Sequence, residues 1–264
     1  MIPISDENPT RTRGWVTLIV VAICTIVYFA VQPTGNNSFS VNDPRIEEQQ
    51  LQFSLDWAAV PCEVVKGRPL SSDEVTATFE NGDASSCGVG DPTVSDHGGK
   101  PIYLALIVSM FLHGSVAHLA GNMLFLWIFG NNIEDKKGRL WFLALYVVGG
   151  VLADLTHVAV DPNSTVPVVG ASGAIAAVMG AYLVLWPRAR IKCVMPWGGL
   201  RKVSAAWVLG VWVASQFLIM AAPTNVSWGA HLGGFAAGAL AGWFWRVTDR
   251  KKRLELPSPV LVGV

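Results

Sequence analysis

The chain has 264 residues, and its 19 basic and 19 acidic side chains give a formal net charge of zero. Hydrophobic residues make up 52% of it and charged residues only 14%, with 11 tryptophans. Because the charges are gathered in short clusters, this composition excludes a chain surrounded mainly by water and predicts an integral membrane protein. No nucleic-acid partner is expected.

Long apolar runs predict how the chain crosses the bilayer. A helix of about 20 residues, rising 1.5 Å per residue, spans the hydrocarbon layer of about 30 Å. We therefore predict an all-α polytopic protein with six transmembrane helices near residues 15–32, 116–131, 141–158, 167–186, 204–221 and 229–245. The run from 102 to 129 is too long for one untilted crossing, and it is interrupted at His113. Residues 103–112 are accordingly predicted to form an interfacial or re-entrant helix.

Basic residues predict the orientation of these helices. If six spans alternate, one side carries the Lys and Arg clusters around residues 11–13, 136–139, 188–202 and 246–253. The short loops on the other side, residues 161–166 and 222–227, carry no basic residue. The positive-inside rule thus predicts a cell-membrane protein with both termini in the cytoplasm. The first span is predicted to be a retained anchor, because its apolar run is long for a signal peptide and no clear cleavage site follows.

This pattern divides the chain into five parts. They are a cytoplasmic segment (1–14), the anchor (15–32), a long extracytoplasmic segment (33–101), a membrane core (102–246) and a cytoplasmic tail (247–264). The extracytoplasmic segment is rich in acids and turn residues, and it fits either a small cap or a mostly irregular loop. Four apolar residues in it, Leu51, Phe53, Leu55 and Trp57, fit one face of a short amphipathic helix.

Two of the four cysteines, Cys62 and Cys87, fall in the extracytoplasmic segment. An oxidising environment on that side would permit a bridge, so we predict that they form a disulfide. Cys24 and Cys193 lie in or near the membrane and the cytoplasm, where a structural role is expected.

A serine and a histidine in different spans are the candidate catalytic pair. Ser172 begins a span in the sequence GASG at residues 170–173, and His231 lies in AHLGG at residues 230–234. Both lie a few residues from the outer end of their helices, so they can meet. A serine hydroxyl becomes a nucleophile when a base takes its proton, and an imidazole inside a membrane is costly without a function. Each residue alone also fits helix packing or a hydrogen bond to a backbone carbonyl.

Two further polar residues are predicted at the same depth. His118 and Asn122 are four residues apart, on one helical face near the outer end of the second span. Hydrogen bonding between helices is the ordinary role of such residues. The alternative is an oxyanion hole formed by these side chains and the backbone N–H of Ser172. Polar groups from three spans converging at one depth favour the catalytic interpretation. Small residues at Gly234 and Gly238 predict close packing of the last helix.

These motifs resemble those of the rhomboid intramembrane serine proteases. The resemblance covers about residues 103–245 and rests on HGS at 113–115, HLAGN at 118–122, Gly130 with Glu134, GASG at 170–173 and AHLGG at 230–234. It implies a rhomboid-like bundle of six transmembrane helices with a long outer loop after the first. It also implies hydrolysis of a peptide bond in or beside a substrate's transmembrane helix. Ser172 matches the nucleophile and His231 the general base.

The resemblance also implies the supporting residues. His118 and Asn122 match positions that hold the oxyanion, while His113 matches a loop histidine that supports the water-accessible site, which also includes Gly170. No third triad member is implied, so Asp154 is expected to be a buried polar contact. The chain departs from many bacterial relatives at Leu104-Ala105, where they have Trp-Arg, and at Ala176, where they have a Tyr that stacks on the histidine. Loop anchoring and histidine support must therefore differ.

The predicted function is an intramembrane serine endopeptidase that cleaves transmembrane proteins through a Ser172–His231 dyad and an acyl-enzyme. Its partners are these substrates and the lipid bilayer; its oligomeric state is not determined. No metal or other cofactor is predicted, because His113 and His118 lack zincin spacing. The alternative is a non-catalytic rhomboid-like protein that binds transmembrane helices or acts in their quality control. A transporter is disfavoured, because no matching pair of broken helices is visible.

Overall fold

The computed structural model describes residues 1–34, 44–222 and 226–255. It is mainly helical. In chain order the elements are β1 (Ile2–Asp6), α1 (Trp15–Ile26), a π-helical turn (Val27–Val31), α2 (Pro44–Trp57), α3 (Pro61–Lys66), α4 (Ser72–Phe79), α5 (Ile102–Val108), a 3-10 turn (Ser109–Phe111), α6 (Val116–Lys137), α7 (Arg139–Val160), α8 (Ser172–Leu185), β2 (Arg190–Val194), β3 (Leu200–Ser204), α9 (Ala205–Met220) and α10 (Trp228–Glu255). The predicted tail 247–264 lies partly outside the described residues.

Among the described residues, one helix is long and apolar enough to cross a membrane by itself, namely α7. The segment Ile102–Phe111 and α6 meet the same criterion as a pair that is bent by 81°. Shorter apolar helices are Trp15–Val31, α8 and α9. The bend falls beside His113, where the sequence predicts a separate helix before the second span.

Helix α8 lies at the centre of the bundle. Residues 173–182 are all buried, and α8 packs mainly against α10 and α7. A helix that is apolar on every face is expected to be buried in this way. A Cβ atom added at Gly234 would overlap the carbonyl of Gly173, and one added at Gly238 would overlap the carbonyl of Ala177. The close packing predicted for the last helix is therefore confirmed, and it brings α10 against the backbone of α8.

The beginning of α8 corrects the predicted fourth span. The helix begins at Ser172, whereas the apolar run begins at residue 167. Residues 167–171 form a loop in which Val168 makes an isolated antiparallel bridge with Ala59. Proline and two β-branched valines favour extended backbone there. Gly170 has a φ of 127°, which side-chain-bearing residues rarely adopt, so the helix cannot begin before it.

A small antiparallel sheet corrects the prediction of an all-α protein. Its order is β1-β2-β3, so that the first residues of the chain pair with β2. Within β2, Ile191 and Cys193 are fully buried while Arg190 is exposed, an alternation typical of a half-buried strand. The sequence predicts a basic loop for this segment, because a five-residue alternation is inconspicuous beside so many charges. The terminal Asp6 also accepts hydrogen bonds from Tyr182 and Asn132, at 2.9 and 2.7 Å.

Glu134, one of the motif residues, fixes the beginning of α1. Its two carboxylate oxygens accept hydrogen bonds from the backbone N–H groups of Val16 and Thr17, each at 2.9 Å, and from the Thr17 hydroxyl. The first N–H groups of a helix have no partner within the helix, and a carboxylate there also interacts favourably with the helix dipole. Glu134 thus joins the first helix to the end of α6.

Residues 44–101 form a small helical cap, one of the two alternatives that the sequence allows; residues 35–43 of the predicted extracytoplasmic segment lie outside the described residues. The cap contains α2, α3 and α4, and Leu55, Val60, Cys62 and Leu70 form a core of its own. Cys62 and Cys87 are joined by a disulfide with an S–S distance of 2.12 Å. Leu55 lies in that core, but Trp57 is largely exposed, so the predicted apolar face is only partly buried.

Candidate active site

Ser172 and His231 face each other from the first turns of α8 and α10. Ser172 is the first residue of α8, and His231 lies in the first turn of α10. The Oγ atom of Ser172 and the Nε2 atom of His231 are 2.8 Å apart, which is a hydrogen-bond distance. Both side chains are partly exposed. The close approach of α8 and α10 at their glycines holds the two residues in this geometry.

The other ring nitrogen of His231 has a partner that the sequence motifs do not predict. The Oε1 atom of Gln216, in α9, lies 2.7 Å from His231 Nδ1. The available signal was a lone amide in the middle of the apolar helix α9, since polar residues inside membranes are commonly functional. It was missed because α9 carries no motif that the resemblance uses.

An aromatic residue of α9 packs against the same imidazole. The rings of Trp212 and His231 have centroids 5.6 Å apart and are inclined by 44°. Trp212 in turn packs against Phe235 of α10, with centroids 5.9 Å apart. Ala176, where many bacterial relatives have the tyrosine, is fully buried. In this chain the aromatic support for His231 therefore comes from α9.

The predicted oxyanion donors lie beside the serine. His118, Asn122, Ser172 and His231 line one cavity of about 320 Å³. Asn122 is buried, and its Nδ2 atom has no hydrogen-bond partner within the described residues. The backbone N–H of Gly114 donates to His118 Nδ1 at 3.4 Å, which places the ring proton of a neutral His118 on Nε2. Both side chains therefore have a donor available in the cavity.

Gly170 lies directly against the imidazole of His118. A Cβ atom added there would lie 2.7 Å from His118 Cε1 and 2.9 Å from His118 Nε2, so only glycine leaves room for the imidazole. The N–H of Gly170 donates to the carbonyl of Ser109 at 2.9 Å. The hydroxyl of Ser109 accepts from the N–H of Ala59 at 2.7 Å, which ties the loop before Ser172 to the cap.

His113 lies behind the predicted oxyanion donors. Its ring is buried, with its centroid 5.3 Å from that of His118. Gln32 forms two hydrogen bonds of 3.0 Å with the backbone N–H and C=O of His113. The structure thus fixes the backbone of His113 beside the predicted oxyanion donors.

A second cavity, of about 310 Å³, lies on the α7 side of the pair. It is lined by His118, Asp154, Gly170, Ser172 and His231 among others. Asp154 is buried, but its Oδ2 atom lacks a hydrogen-bond partner in the described part of the chain. The expected polar contact of Asp154 is therefore not found at this oxygen. Leu104, at the other departure from the relatives, is about half exposed on α5.

This geometry has the parts required for acyl transfer. A hydroxyl is hydrogen-bonded to an imidazole, the imidazole is oriented by a third group, and unpaired donors lie nearby. Acyl transfer through a serine needs a nucleophile, a base and donors that stabilise a developing oxyanion. The first N–H groups of a helix also lack partners within the helix, and Ser172 begins α8.

Comparison with known proteins gives the same family. Residues 101–247 match the Rhomboid domain. Rhomboid protein 1, mitochondrial, of Saccharomyces cerevisiae is 34% identical over 162 residues, which cover 57% of this chain and 44% of that protein. RHOMBOID-like protein 12, mitochondrial, of Arabidopsis thaliana is 32% identical over 157 residues, covering 52% and 44%.

A human protein is similar over the same extent. Presenilin-associated rhomboid-like protein, mitochondrial, of Homo sapiens is 30% identical over 163 residues, covering 58% of this chain and 40% of its own length. The chain thus spans less than half the length of these three curated relatives. Since the Rhomboid domain match extends over more than half of the sequence and includes Ser172 and His231, the chain belongs to the rhomboid family.

Proposed function

We propose that this protein is an intramembrane serine endopeptidase that hydrolyses a peptide bond in or near the transmembrane segment of membrane-protein substrates. The observation that carries the proposal is the 2.8 Å distance between Ser172 Oγ and His231 Nε2. Family membership supports it, because rhomboids are generally serine proteases. A serine hydroxyl alone is a weak nucleophile, and an adjacent imidazole activates it by accepting its proton.

The reaction begins when His231 Nε2 accepts the hydroxyl proton and Ser172 Oγ attacks the scissile carbonyl. The carbonyl oxygen becomes negatively charged as the C–O bond forms, and Asn122 Nδ2, His118 Nε2 and the Ser172 N–H donate to it. His231 then gives its proton to the leaving amine as the C–N bond breaks. Water deprotonated by His231 attacks the acyl-enzyme, and Ser172 regains its proton as the second product leaves. Neither step needs a metal or other cofactor.

We further propose six membrane spans for the domain. In this arrangement α1, α6, α7, α8, α9 and the apolar part of α10 cross the bilayer, and α5 lies at its outer interface. The basic segments then face the cytoplasm with both termini, and the cavity of Ser172 opens on the opposite side with the cap. We propose a cell membrane as the location; the three relatives compared above are named mitochondrial, so localisation of a tagged full-length chain tests this part directly.

The second candidate function is a non-catalytic protein that binds transmembrane helices or acts in their quality control. It would use the same membrane fold, and family membership alone is compatible with it. Such a protein has no need of a serine hydrogen-bonded to a histidine, nor of a buried asparagine with an unpaired amide. The retained geometry favours the peptidase.

Labelling with a fluorophosphonate tests the proposal without knowledge of the substrate. The purified full chain in lipid is expected to be labelled at Ser172, as identified by peptide mass spectrometry. Ser172→Ala and His231→Ala should lose the label, while Ser54→Ala should keep it, because Ser54 lies in the cap, where its hydroxyl donates to the carbonyl of Gln50. Labelling of Ser172→Ala at the native rate, or none of the folded native chain, would refute the peptidase and favour the binding protein.

A further inference from the structure

Gln216 is an unusual residue for its position. Helix α9 is otherwise composed almost entirely of apolar residues, and the side chains that follow Gln216, Phe217 and Leu218, point outwards. Gln216 itself is only 2% exposed. An amide buried in apolar surroundings is costly unless its groups are hydrogen-bonded, so its partners indicate why it is there.

The hydrogen bonds of Gln216 determine which end of its amide faces His231. The Nε2 atom of Gln216 lies 3.2 Å from the carbonyl oxygen of Trp212, one turn earlier in α9, and 3.2 Å from the hydroxyl of Ser215. A carbonyl oxygen can only accept a hydrogen bond, so the NH2 group must point towards Trp212. The amide oxygen is then left for His231, at 2.7 Å from Nδ1.

This orientation fixes the proton of the imidazole. An amide oxygen only accepts, so Nδ1 of His231 must carry hydrogen and donate it. In a neutral imidazole the other nitrogen then has a free lone pair, and that nitrogen, Nε2, is the one 2.8 Å from Ser172 Oγ. A general base for the serine requires this tautomer, because an Nε2–H group could not accept the hydroxyl proton.

We propose that Gln216 is a positioning residue that holds His231 in the tautomer and ring orientation required of the base; this rests on the proposed peptidase function. Its amide oxygen accepts a hydrogen bond from His231 Nδ1, as the aspartate carboxylate accepts one from the histidine in a Ser-His-Asp triad. When His231 becomes an imidazolium, the Gln216 oxygen keeps accepting from Nδ1 and stabilises the charge through a hydrogen bond. A neutral amide does this without adding a second buried charge, which a membrane interior disfavours.

Asp154 is the competing residue for this role. It lines the cavity behind the pair, yet its Oδ2 atom is unpaired in the part of the chain described, while Nδ1 of His231 is already bonded to Gln216. Trp212 packs on the ring and Gln216 bonds to its edge, so one turn of α9 restrains the imidazole in two directions.

Nitrogen-15 spectra of the histidine-labelled protein test the proposal directly. The His231 signals are assigned as those absent from His231→Ala. In the native chain above the titration range, the expected signature is a protonated Nδ1 and an unprotonated Nε2. A native His231 with the proton on Nε2 would overturn the proposal, and this measurement needs no Gln216 variant to fold. A Gln216→Met variant, which keeps the length but lacks the acceptor, should show loss of this preference.

Kinetics provide the second measurement. Gln216→Met should slow fluorophosphonate labelling of Ser172 by about 10-fold to 100-fold, because a hydrogen bond to a charged group is lost. With a transmembrane substrate, kcat should fall while KM changes little. Gln216→Glu, which restores an acceptor in the same place, should recover the Nδ1 tautomer and at least part of the rate.

A matched control separates positioning from general loosening of α9. Leu209→Ala removes a fully buried side chain two turns earlier in the same helix and should lower thermal stability without changing the tautomer of His231. If Gln216→Met labels at the native rate and keeps the tautomer, Gln216 is a packing residue and the proposal fails, while the peptidase remains. If the folded native chain itself is not labelled at Ser172, the peptidase fails first.

Discussion

Buried polar groups in the cap and at the candidate active site differ in how fully they are hydrogen-bonded. In the cap, the Glu74 carboxylate accepts hydrogen bonds from both guanidinium nitrogens of Arg68 and from the N–H groups of Ser71 and Gly88, at 2.6 to 2.8 Å. At the candidate site, the amide nitrogen of Asn122 and Oδ2 of Asp154 are buried without partners in the described residues. The cap surrounds the Glu74 carboxylate with donors and pairs Glu63 with Lys100 as a buried ion pair, whereas the site leaves a donor and an acceptor free.

This contrast has a physical meaning. An unpaired buried polar group costs about 1–3 kcal/mol, so such a group at a candidate active site is available to an ordered water, a ligand or a transition state. Saturated groups stabilise the structure and offer nothing to a substrate. Mutations in the two regions should therefore have opposite consequences: those at the site reduce turnover and spare stability, and those in the cap reduce stability and spare the chemical step.

The largest expected effect is loss of the nucleophile or the base. Ser172→Ala and His231→Ala should each lower turnover of a transmembrane substrate by about 10⁴-fold or more, because the two groups act as a unit. For the same reason the double variant should be scarcely slower than either single one. Thermal unfolding should change little, since Ser172 and His231 are only partly buried. Strictly additive losses would mean that the residues act independently.

The second-largest effect is expected at Asn122, the residue of α6 with the unpaired amide. Asn122→Ala should lower kcat by about 10²-fold to 10³-fold with KM nearly unchanged, as expected for removal of one oxyanion donor. Asn132→Ala is the matched control, because its Nδ2 atom is bonded to Asp6 and to Asn131 in the same helix. That control should reduce stability and leave kcat intact. If Asn122→Ala instead raised KM alone, Asn122 would be a binding or packing residue.

A third test concerns the packing that brings Ser172 and His231 together. Gly238→Val would place atoms on the backbone of Ala177, and overpacking of this kind typically costs about 1–3 kcal/mol. We expect a lower melting temperature and slower labelling of Ser172, because α10 carries His231 and must move away from α8. Gly210→Ala on α9 is the control, since an added Cβ meets no heavy atom within 4 Å there.

How much of this arrangement the sequence predicts depends on the kind of signal. Depth along an apolar helix predicted that Ser172 could meet His231, and small-residue spacing predicted the contact between α8 and α10. The lone amide of Gln216 indicates a functional position on α9, but the sequence does not tell which residue of the bundle it contacts. The exposed fraction of each α9 residue depends on neighbours that the sequence does not identify.

The sheet was missed for a different reason. Strands β1 and β2 are about 190 residues apart in sequence, and each is only five residues long. Pairing between such distant, short segments depends on α1, α6 and α8 bringing their ends together. The same holds for the loop before Ser172: its residues are as apolar as a helix, and the bridge between Val168 and Ala59 in the cap becomes visible only in three dimensions.

The disulfide gives a smaller effect, confined to the cap and its contact with the loop before Ser172. Closing 25 residues is worth about 3 kcal/mol in the chain-entropy description, so Cys62→Ser with Cys87→Ser should loosen α3 and α4. Hydrogen exchange in the cap should rise. Cleavage of a transmembrane substrate should change more than fluorophosphonate labelling, because the small probe does not require the cap for entry. Equal losses in both assays would show that the cap fixes the catalytic residues themselves.

The smallest effect is the pH dependence of cap stability through Glu74. Burial raises the pKa of this carboxyl, but hydrogen bonds from Arg68 and from the N–H groups of Gly88 and Ser71 outweigh burial and lower the pKa from 4.5 to about 2. Because the pKa is lower in the folded state, the contribution is fully present above pH 4.5 and is lost as the pH falls towards 2. Burial raises the pKa of Glu63, so the contribution of Glu63 to cap stability changes with pH in the opposite direction. Comparing hydrogen exchange of α4 in the native chain and in Glu74→Gln across this range isolates Glu74. The native cap should loosen more on acidification than the variant, and parallel profiles would show that Glu74 makes no such contribution.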